Sequence, residues 1–237
     1  MTTRQKLTKF CSWIVDLLFP AHCVLCKKTG SVLCNTCYQL IHFLPSASLK
    51  LRVPPEESFL CQTKVMAVYQ PPISTLIKAL KYQRVKAIAS FLAWLLYLHL
   101  SLPDCSLITW VPANPIKLAE RGFNQAELIA KNLAKLLNIP VLPLLIKVKH
   151  TAPQAINSWA ERLVSQTDCF QVNPACIKST SDQGIDLVGL KRLQAGNIVI
   201  IDDVITTGAT LNECAKTLFQ AGFKGKIFGV GVAHSSK

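Results

Sequence analysis

The sequence predicts an α/β fold: a mostly parallel sheet flanked by helices, preceded by a small cysteine-bound module. Three observations carry this. After Pro103, short apolar runs alternate with segments of helical periodicity. The runs Leu107–Val111 and Ile198–Ile201 do not alternate polar with apolar, as expected for strands buried on both faces. Four of the ten cysteines fall in two Cys-x-x-Cys pairs near the N-terminus. The chain has 237 residues, half of them hydrophobic, which is enough for one sizeable domain and an appendage. We place the module in 1–60 and the larger domain in 61–237. No internal repeat or low-complexity segment interrupts them.

The N-terminus opens with Arg4, Lys6 and Lys9, then the apolar run Phe10–Phe19. Asp16 interrupts that run and no small-residue cleavage site follows, so no signal peptide is expected. Leu7, Phe10, Ile14 and Leu17 recur at helical spacing. They predict a short amphipathic helix that packs on the protein, with membrane-surface binding as the alternative. Next come "CVLC", Cys23–Cys26, and "CNTC", Cys34–Cys37. Two such pairs suit tetrahedral Zn²⁺ held by four thiolates, and Gly30 permits a tight turn between them. A disulfide pair or free thiols are the alternatives. Without a signal peptide the chain is expected in the cytoplasm, where disulfides are disfavoured. Four thiolates leave no open position, so this zinc would be structural. His22 and His42 flank the pairs, and either could replace a thiolate. Cys11, Cys61, Cys105, Cys169, Cys176 and Cys214 lack such spacing and are expected to be mostly buried as small hydrophobes.

Leu44–Ser58 has no clear periodicity and reads as a linker or a loose edge of the cysteine module. Val65–Tyr69 predicts a strand. Pro71-Pro72 then opens a helix with Ile73, Leu76, Ile77 and Leu80 on one face, leaving Lys78 and Lys81 off it. Ser58–Pro103 contains no Asp or Glu, so its cations must find partners elsewhere, either in a phosphate or in solvent. "AIASFLAWLLYLHL", Ala87–Leu100, is shorter than the about 20 residues of a membrane span and carries His99, so it predicts a buried core helix. Beyond Pro103, strands are expected at Leu107–Val111, Val141–Ile146, Ile198–Ile201 and Ile227–Val232. Helices are expected around Phe123–Leu137 and Leu211–Leu218.

The net charge is +13, with 26 Lys and Arg against 13 Asp and Glu. Such a surface attracts phosphates, nucleic acid or an acidic membrane face, unless it is simply a solvated basic surface. No G-x-G-x-x-G follows a strand, which argues against a nicotinamide dehydrogenase.

"NIVIIDDVITTGAT", Asn197–Thr210, is the most informative stretch. Asp202 and Asp203 close an apolar strand. Thr206, Thr207, Gly208 and Ala209 form the following turn. Thr210 and Glu213 have capping-box spacing at the start of a helix. A helix N-terminus, Thr hydroxyls and a glycine that lets the backbone approach make a phosphate cradle. Two carboxylates beside it fit sugar hydroxyls or Mg²⁺, and phosphate with ribose hydroxyls is a 5′-phosphoribosyl group.

These residues closely resemble the phosphoribosyl-pyrophosphate (PRPP) motif of type I phosphoribosyltransferases. "ERGFNQAELIA" (Glu120–Ala130), "TAPQAINSWAERL" (Thr151–Leu163), "LIKALKYQ" (Leu76–Gln83) and the double knuckle resemble the ComF family of competence-associated proteins. The resemblance implies a type I phosphoribosyltransferase-like domain behind a zinc module, with a role in DNA uptake during natural transformation. It implies that Thr206, Thr207, Gly208, Ala209 and Thr210 hold the 5′-phosphate. Asp202 and Asp203 would take the ribose hydroxyls, with Mg²⁺ accompanying PRPP. Trp110–Gln125 would face pyrophosphate, with Arg121 and Lys117 neutralising it. Lys149–Arg162 would close over the substrate, with Gln154 and Arg162 as contacts. The chain departs from the family pattern at Cys61, where relatives often carry a second Cys-x-x-Cys, at Trp159 and at Asn114. Two readings follow: a phosphoribosyltransferase of unknown acceptor, or a non-catalytic PRPP sensor that engages single-stranded DNA or DNA-uptake proteins. Aromatics that could stack on bases are scattered along the chain. Related domains often form homodimers, and the sequence leaves that state open.

Overall fold

The computed structural model describes residues 22–45, 57–148, 169–179, 185–187 and 196–235. Its helices are α1 (Asn35–Tyr38), α2 (Ile73–Tyr82), α3 (Ala87–His99), α4 (Pro115–Arg121), α5 (Gln125–Leu137) and α6 (Ala209–Gln220). Its strands are β1 (Gln62–Val68), β2 (Leu107–Trp110), β3 (Leu145–Lys147), β4 (Phe170–Val172), β5 (Ile177–Ser179), β6 (Ile185–Leu187), β7 (Ile198–Ile205) and β8 (Ile227–His234). The central sheet has four strands in the order β1-β8-β7-β2, every pair parallel. β3 with β4, and β5 with β6, form separate antiparallel ribbons.

The apolar run of β7 divides between the two faces of this sheet. Val199 and Ile201 join one cluster with Met66, Val230 and the buried sides of α2, α3 and α5. Ile198 and Ile200 join a second cluster with Leu211, Cys214, Ala215 and Leu218 of α6. A strand covered on both faces has no position that favours a polar residue, which explains the unbroken run.

The helices follow their periodicity. Leu76, Ile77 and Leu80 of α2 are fully buried, as are Ile129 and Leu133 of α5. α5 opens on Asn124, whose side-chain oxygen accepts from the Ala126 N–H at 3.0 Å. It closes on Asn138 in the left-handed conformation. α3 differs from the expected buried core helix. Ile88, Leu92, Leu95 and Leu96 face the core, whereas Trp94, Tyr97 and Leu98 remain exposed. A helix packed on one side buries only one stripe, whatever its composition.

The expected strand over Val141–Ile146 is two pieces. Val141 makes a single parallel bridge to Ile108, and pairing resumes only at Leu145, with β4. Pro140 and Pro143 have no N–H to give, so the run cannot hold one continuous ladder. Of the isolated cysteines, Cys169, Cys176 and Cys214 are buried, Cys105 is half-buried, and Cys61 is exposed, against expectation. The expected helix around Leu7–Leu17, Cys11, and most of the expected linker lie outside the described residues.

The cysteine segment packs into the main core. Cys23, Leu33, Cys37 and Ile41 belong to the cluster that includes α2 and α3. The chain after α1 also lies antiparallel along β1. The Leu44 N–H donates to the Met66 carbonyl at 2.8 Å, and the Val68 N–H to the His42 carbonyl at 3.0 Å. This covers part of an otherwise open edge strand. The ring of Phe43 stacks on His99 with centroids 3.8 Å apart, and Tyr38 Oη lies 2.6 Å from His99 Nε2. Burial lowers the imidazole pKa, which favours the neutral ring. No helix among the described residues is long and apolar enough to cross a membrane.

Candidate functional site

The two chemistry-bearing regions are the cysteine cluster and the end of β7. In the first, the Sγ atoms of Cys23, Cys26, Cys34 and Cys37 all lie within 4.8 Å of one another. Cys26 Sγ and Cys34 Sγ are 3.6 Å apart. Thiolates at the corners of a tetrahedral zinc site are separated by about 3.8 Å, so the geometry fits that ion. Local backbone makes the cluster: the Lys27 N–H donates to the Cys23 carbonyl at 2.9 Å, and the Tyr38 N–H to the Cys34 carbonyl at 2.8 Å. Burial raises the Cys23 thiol, but backbone N–H groups of Cys26, Cys34 and Leu25 more than offset this and bring it down to about 6. Burial pushes Cys37 up to about 12. A cluster that already favours one thiolate is suited to a cation that deprotonates the rest. His22 and His42 are not members of the four-residue group.

The second region departs from its sequence-based outline in two ways. β7 does not stop before the aspartates but runs on to Ile205, because β8 continues to pair with it at Asp202, Val204 and Ile205. β2 ends at Trp110, opposite Ile201. Asp202 and Asp203 therefore lie on a strand segment that has outrun one neighbour. The helix also begins earlier than the capping box predicts. Gly208 is the N-cap, in the left-handed conformation at φ 85°, and Ala209 is the first helical residue. Thr210 is thus inside the first turn and not at the cap. Thr207 Oγ1 instead accepts from the Ala209 N–H at 3.3 Å. The turn remains a concave run of backbone N–H groups at the N-terminus of a 12-residue helix. Thr206 is exposed, Thr207 and Thr210 are half-buried, and Gly208 and Ala209 are buried.

Asp202 Oδ1 accepts from the Asp203 N–H at 2.8 Å. Burial pushes the Asp202 carboxyl well above the usual carboxylate range. The Asp203 carboxylate adds to that push, while the Asp203 N–H and the Lys81 ammonium oppose it. Asp203 Oδ2 forms an ion pair with Lys81 Nζ, and no other donor among the described residues reaches it. The cations of Ser58–Pro103 have no local acid, and Lys81, from the last turn of α2, finds its partner elsewhere, on β7. Under Asp202 lies Cys214, whose burial keeps it a thiol.

Arg121 ends α4, a helix with no buried residue, and Gly122 terminates it with φ 76°. The Arg121 guanidinium lies over the Tyr82 ring, 5.2 Å from its centroid, and Nη1 donates to Gln125 Oε1 at 3.3 Å. Arg84 Nη2 donates to the Glu120 carbonyl at 2.8 Å. These contacts tie the α4 segment to the end of α2, which also carries Lys81. Lys117 is exposed on α4. Arg162 and Gln154 lie outside the described residues. Lys81 and Tyr82 were not expected as site residues; a stretch with cations and no local acids was the available signal.

The chain thus combines a parallel α/β domain, an acidic pair ahead of a helix N-terminus, and a four-cysteine cluster. The chain belongs to the ComF family, with Competence protein F, ComFC and the DNA utilization protein YhgH among its relatives. It is 33% identical over 168 residues to Competence protein F of Haemophilus influenzae, covering 67% of this chain and 66% of that protein. It therefore spans just under two thirds of that relative's length. It is 29% identical over 212 residues to YhgH of Escherichia coli K12, covering 84% and 83%. ComFC of Bacillus subtilis is 32% identical over 112 residues, 47% of this chain and 38% of that protein. No family model matches the chain. Among solved structures, adenine phosphoribosyltransferase from Thermoanaerobacter pseudethanolicus is similar, at 14% identity and a TM-score of 0.37, covering 84% of this chain and 98% of that one.

Proposed function

We propose that the chain is a phosphoribosyltransferase-domain protein that binds PRPP with Mg²⁺ and acts in DNA uptake. One observation carries the ligand: β7 delivers Asp202 and Asp203 directly ahead of a turn whose Gly208 opens the N-terminus of α6. The turn, Thr206–Thr210, would hold the 5′-phosphate through backbone N–H groups and hydroxyls. The aspartates would accept from the ribose hydroxyls. Two adjacent carboxylates, one oxygen of which has only an ammonium for partner, also fit a hard divalent cation. Arg121 and Lys117 would face the pyrophosphate, Arg121 with the planar fork that suits it. Mg²⁺ would supply charge neutralisation to the leaving pyrophosphate. The role in DNA uptake rests on the names of the relatives, Competence protein F and DNA utilization protein YhgH.

Calorimetric titration of the zinc-loaded protein with PRPP and Mg²⁺, with pyrophosphate release followed in the same samples, tests this reading. Binding is expected in the wild type, with a loss of about tenfold or more in Asp203→Ala and a smaller loss in Thr207→Val. Unchanged affinity in both variants would overturn the assignment of the site. Release of pyrophosphate with a nucleobase or amine acceptor marks an enzyme. Binding without release under any acceptor favours the second reading, a PRPP sensor in the DNA-uptake machinery.

A further inference from the structure

We propose that Lys81 is the internal cation of this site: a positioning residue that holds Asp203 in the free protein and gives way when a divalent cation arrives, freeing its ammonium for the ligand's phosphates. The inference rests on the phosphoribosyl reading for the identity of that anion, but not for the exchange of cations at Asp203. The Lys81–Asp203 pair joins the last turn of α2 to β7. The other ion pairs given by the described residues, Lys131–Glu127 and Lys216–Glu213, join neighbours on one helix. The Lys81 and Asp203 side chains are only 20% and 13% exposed, so their interaction is little screened by water.

An ordinary structural ion pair would have its remaining lone pairs satisfied by other donors, because a partly desolvated carboxylate with one partner is costly. Among the described residues, Asp203 Oδ2 has no donor besides Lys81. The acid beside it, Asp202, belongs to the same strand end, so two acidic side chains stand together there. A divalent cation carries twice the charge of an ammonium, and it competes for the same Asp203 oxygen. Lys81 has no alternative acid along its own segment, since Ser58–Pro103 contains none. Its sequence neighbour Tyr82 carries the Arg121 guanidinium over its ring, so the end of α2 already gathers a second cation. The flexible four-carbon stem of lysine permits such a move, whereas a planar guanidinium would be held in place by its two-pronged geometry.

The experiment uses full-length, zinc-loaded protein and two variants, Lys81→Gln and Lys81→Arg. Mn²⁺ binding is read by loss of the free-ion electron paramagnetic resonance signal, and PRPP binding is read separately in metal-free buffer. In Lys81→Gln, Mn²⁺ binds about three- to tenfold more tightly because its competitor is gone. In the same variant, metal-free PRPP binds about tenfold more weakly because a cation is lost. A merely structural lysine would lower thermal stability and leave the Mn²⁺ affinity unchanged or weaker; that result overturns the proposal, as does absence of Mn²⁺ binding by every form. Should Lys81→Gln fail to fold, reductive ¹³C-methylation of wild-type lysines gives an independent readout. The Lys81 resonance, identified by its loss in Lys81→Arg, should shift on addition of Mg²⁺ alone, and an unmoved resonance overturns the exchange. If PRPP binds no form while the Mn²⁺ result holds, the phosphoribosyl reading fails and the cation exchange at Asp203 stands.

Discussion

Asp202 is a carboxylic acid kept where a carboxylate is unfavourable. Its unfolded form loses a proton near the ordinary value of 3.8, whereas the folded form retains it to much higher pH. The folded state therefore binds more protons across the interval between these two values, and stability falls as pH rises through it. Asp202→Asn removes that dependence. The variant should melt at a higher temperature than the wild type at about pH 8, with the gain shrinking toward about pH 5, as measured by circular dichroism. An equal gain at both values would show that burial of Asp202 does not control its titration. The four cysteines were legible in the sequence because their spacing carries their chemistry, and the apolar run before Asp202 and Asp203 made their place on a strand legible. Lys81 was not legible, because its partner lies on a distant strand and no periodicity links α2 to β7. The misplaced helix start has a similar cause: Thr210 and Glu213 match the capping-box spacing, but the backbone turns at Gly208, where a left-handed conformation is free of the Cβ penalty.

At the scale of elements, period and composition predicted most of the helices and all four sheet strands, with their ends less well placed. β7 and β8 are each longer than expected because they continue to pair with one another past the end of β2. Pairing with a neighbour is invisible to a strand's own composition. α4 was missed as an element because it buries nothing and so has no apolar stripe; Pro115 at its start and Gly122 at its end are its signature. α3 shows the opposite failure, since its composition predicted burial that only one face achieves. The buried face is nonetheless central to the fold. Leu92→Ala should cost about 2–5 kcal/mol in chemical denaturation, the range for removing a fully enclosed leucine. Trp94→Gln on the exposed face should change stability by no more than about 0.5 kcal/mol.

For the molecule as a whole, the cysteine cluster and the sheet share one hydrophobic core, so zinc and the α/β fold should not come apart independently. Cys37→Ser, or removal of zinc by a strong chelator, should lower the melting temperature of the whole chain by roughly 10 °C. Zinc release and loss of far-ultraviolet ellipticity should then follow one curve. Two separated transitions would mean that the cysteine segment unfolds on its own. Such coupling was hidden in the sequence, where a linker-like stretch after Leu44 suggested a detachable module. The half-buried acids at the end of β7 carry a different implication, one about history. Most substitutions of Asp202 by a neutral residue of similar size would stabilise the molecule at neutral pH, and a fold shaped only by its need to stay folded would drift away from an acid there. The proposed ligand would account for its presence in this chain, since a bound sugar or cation that needs the acid would oppose the pull of stability.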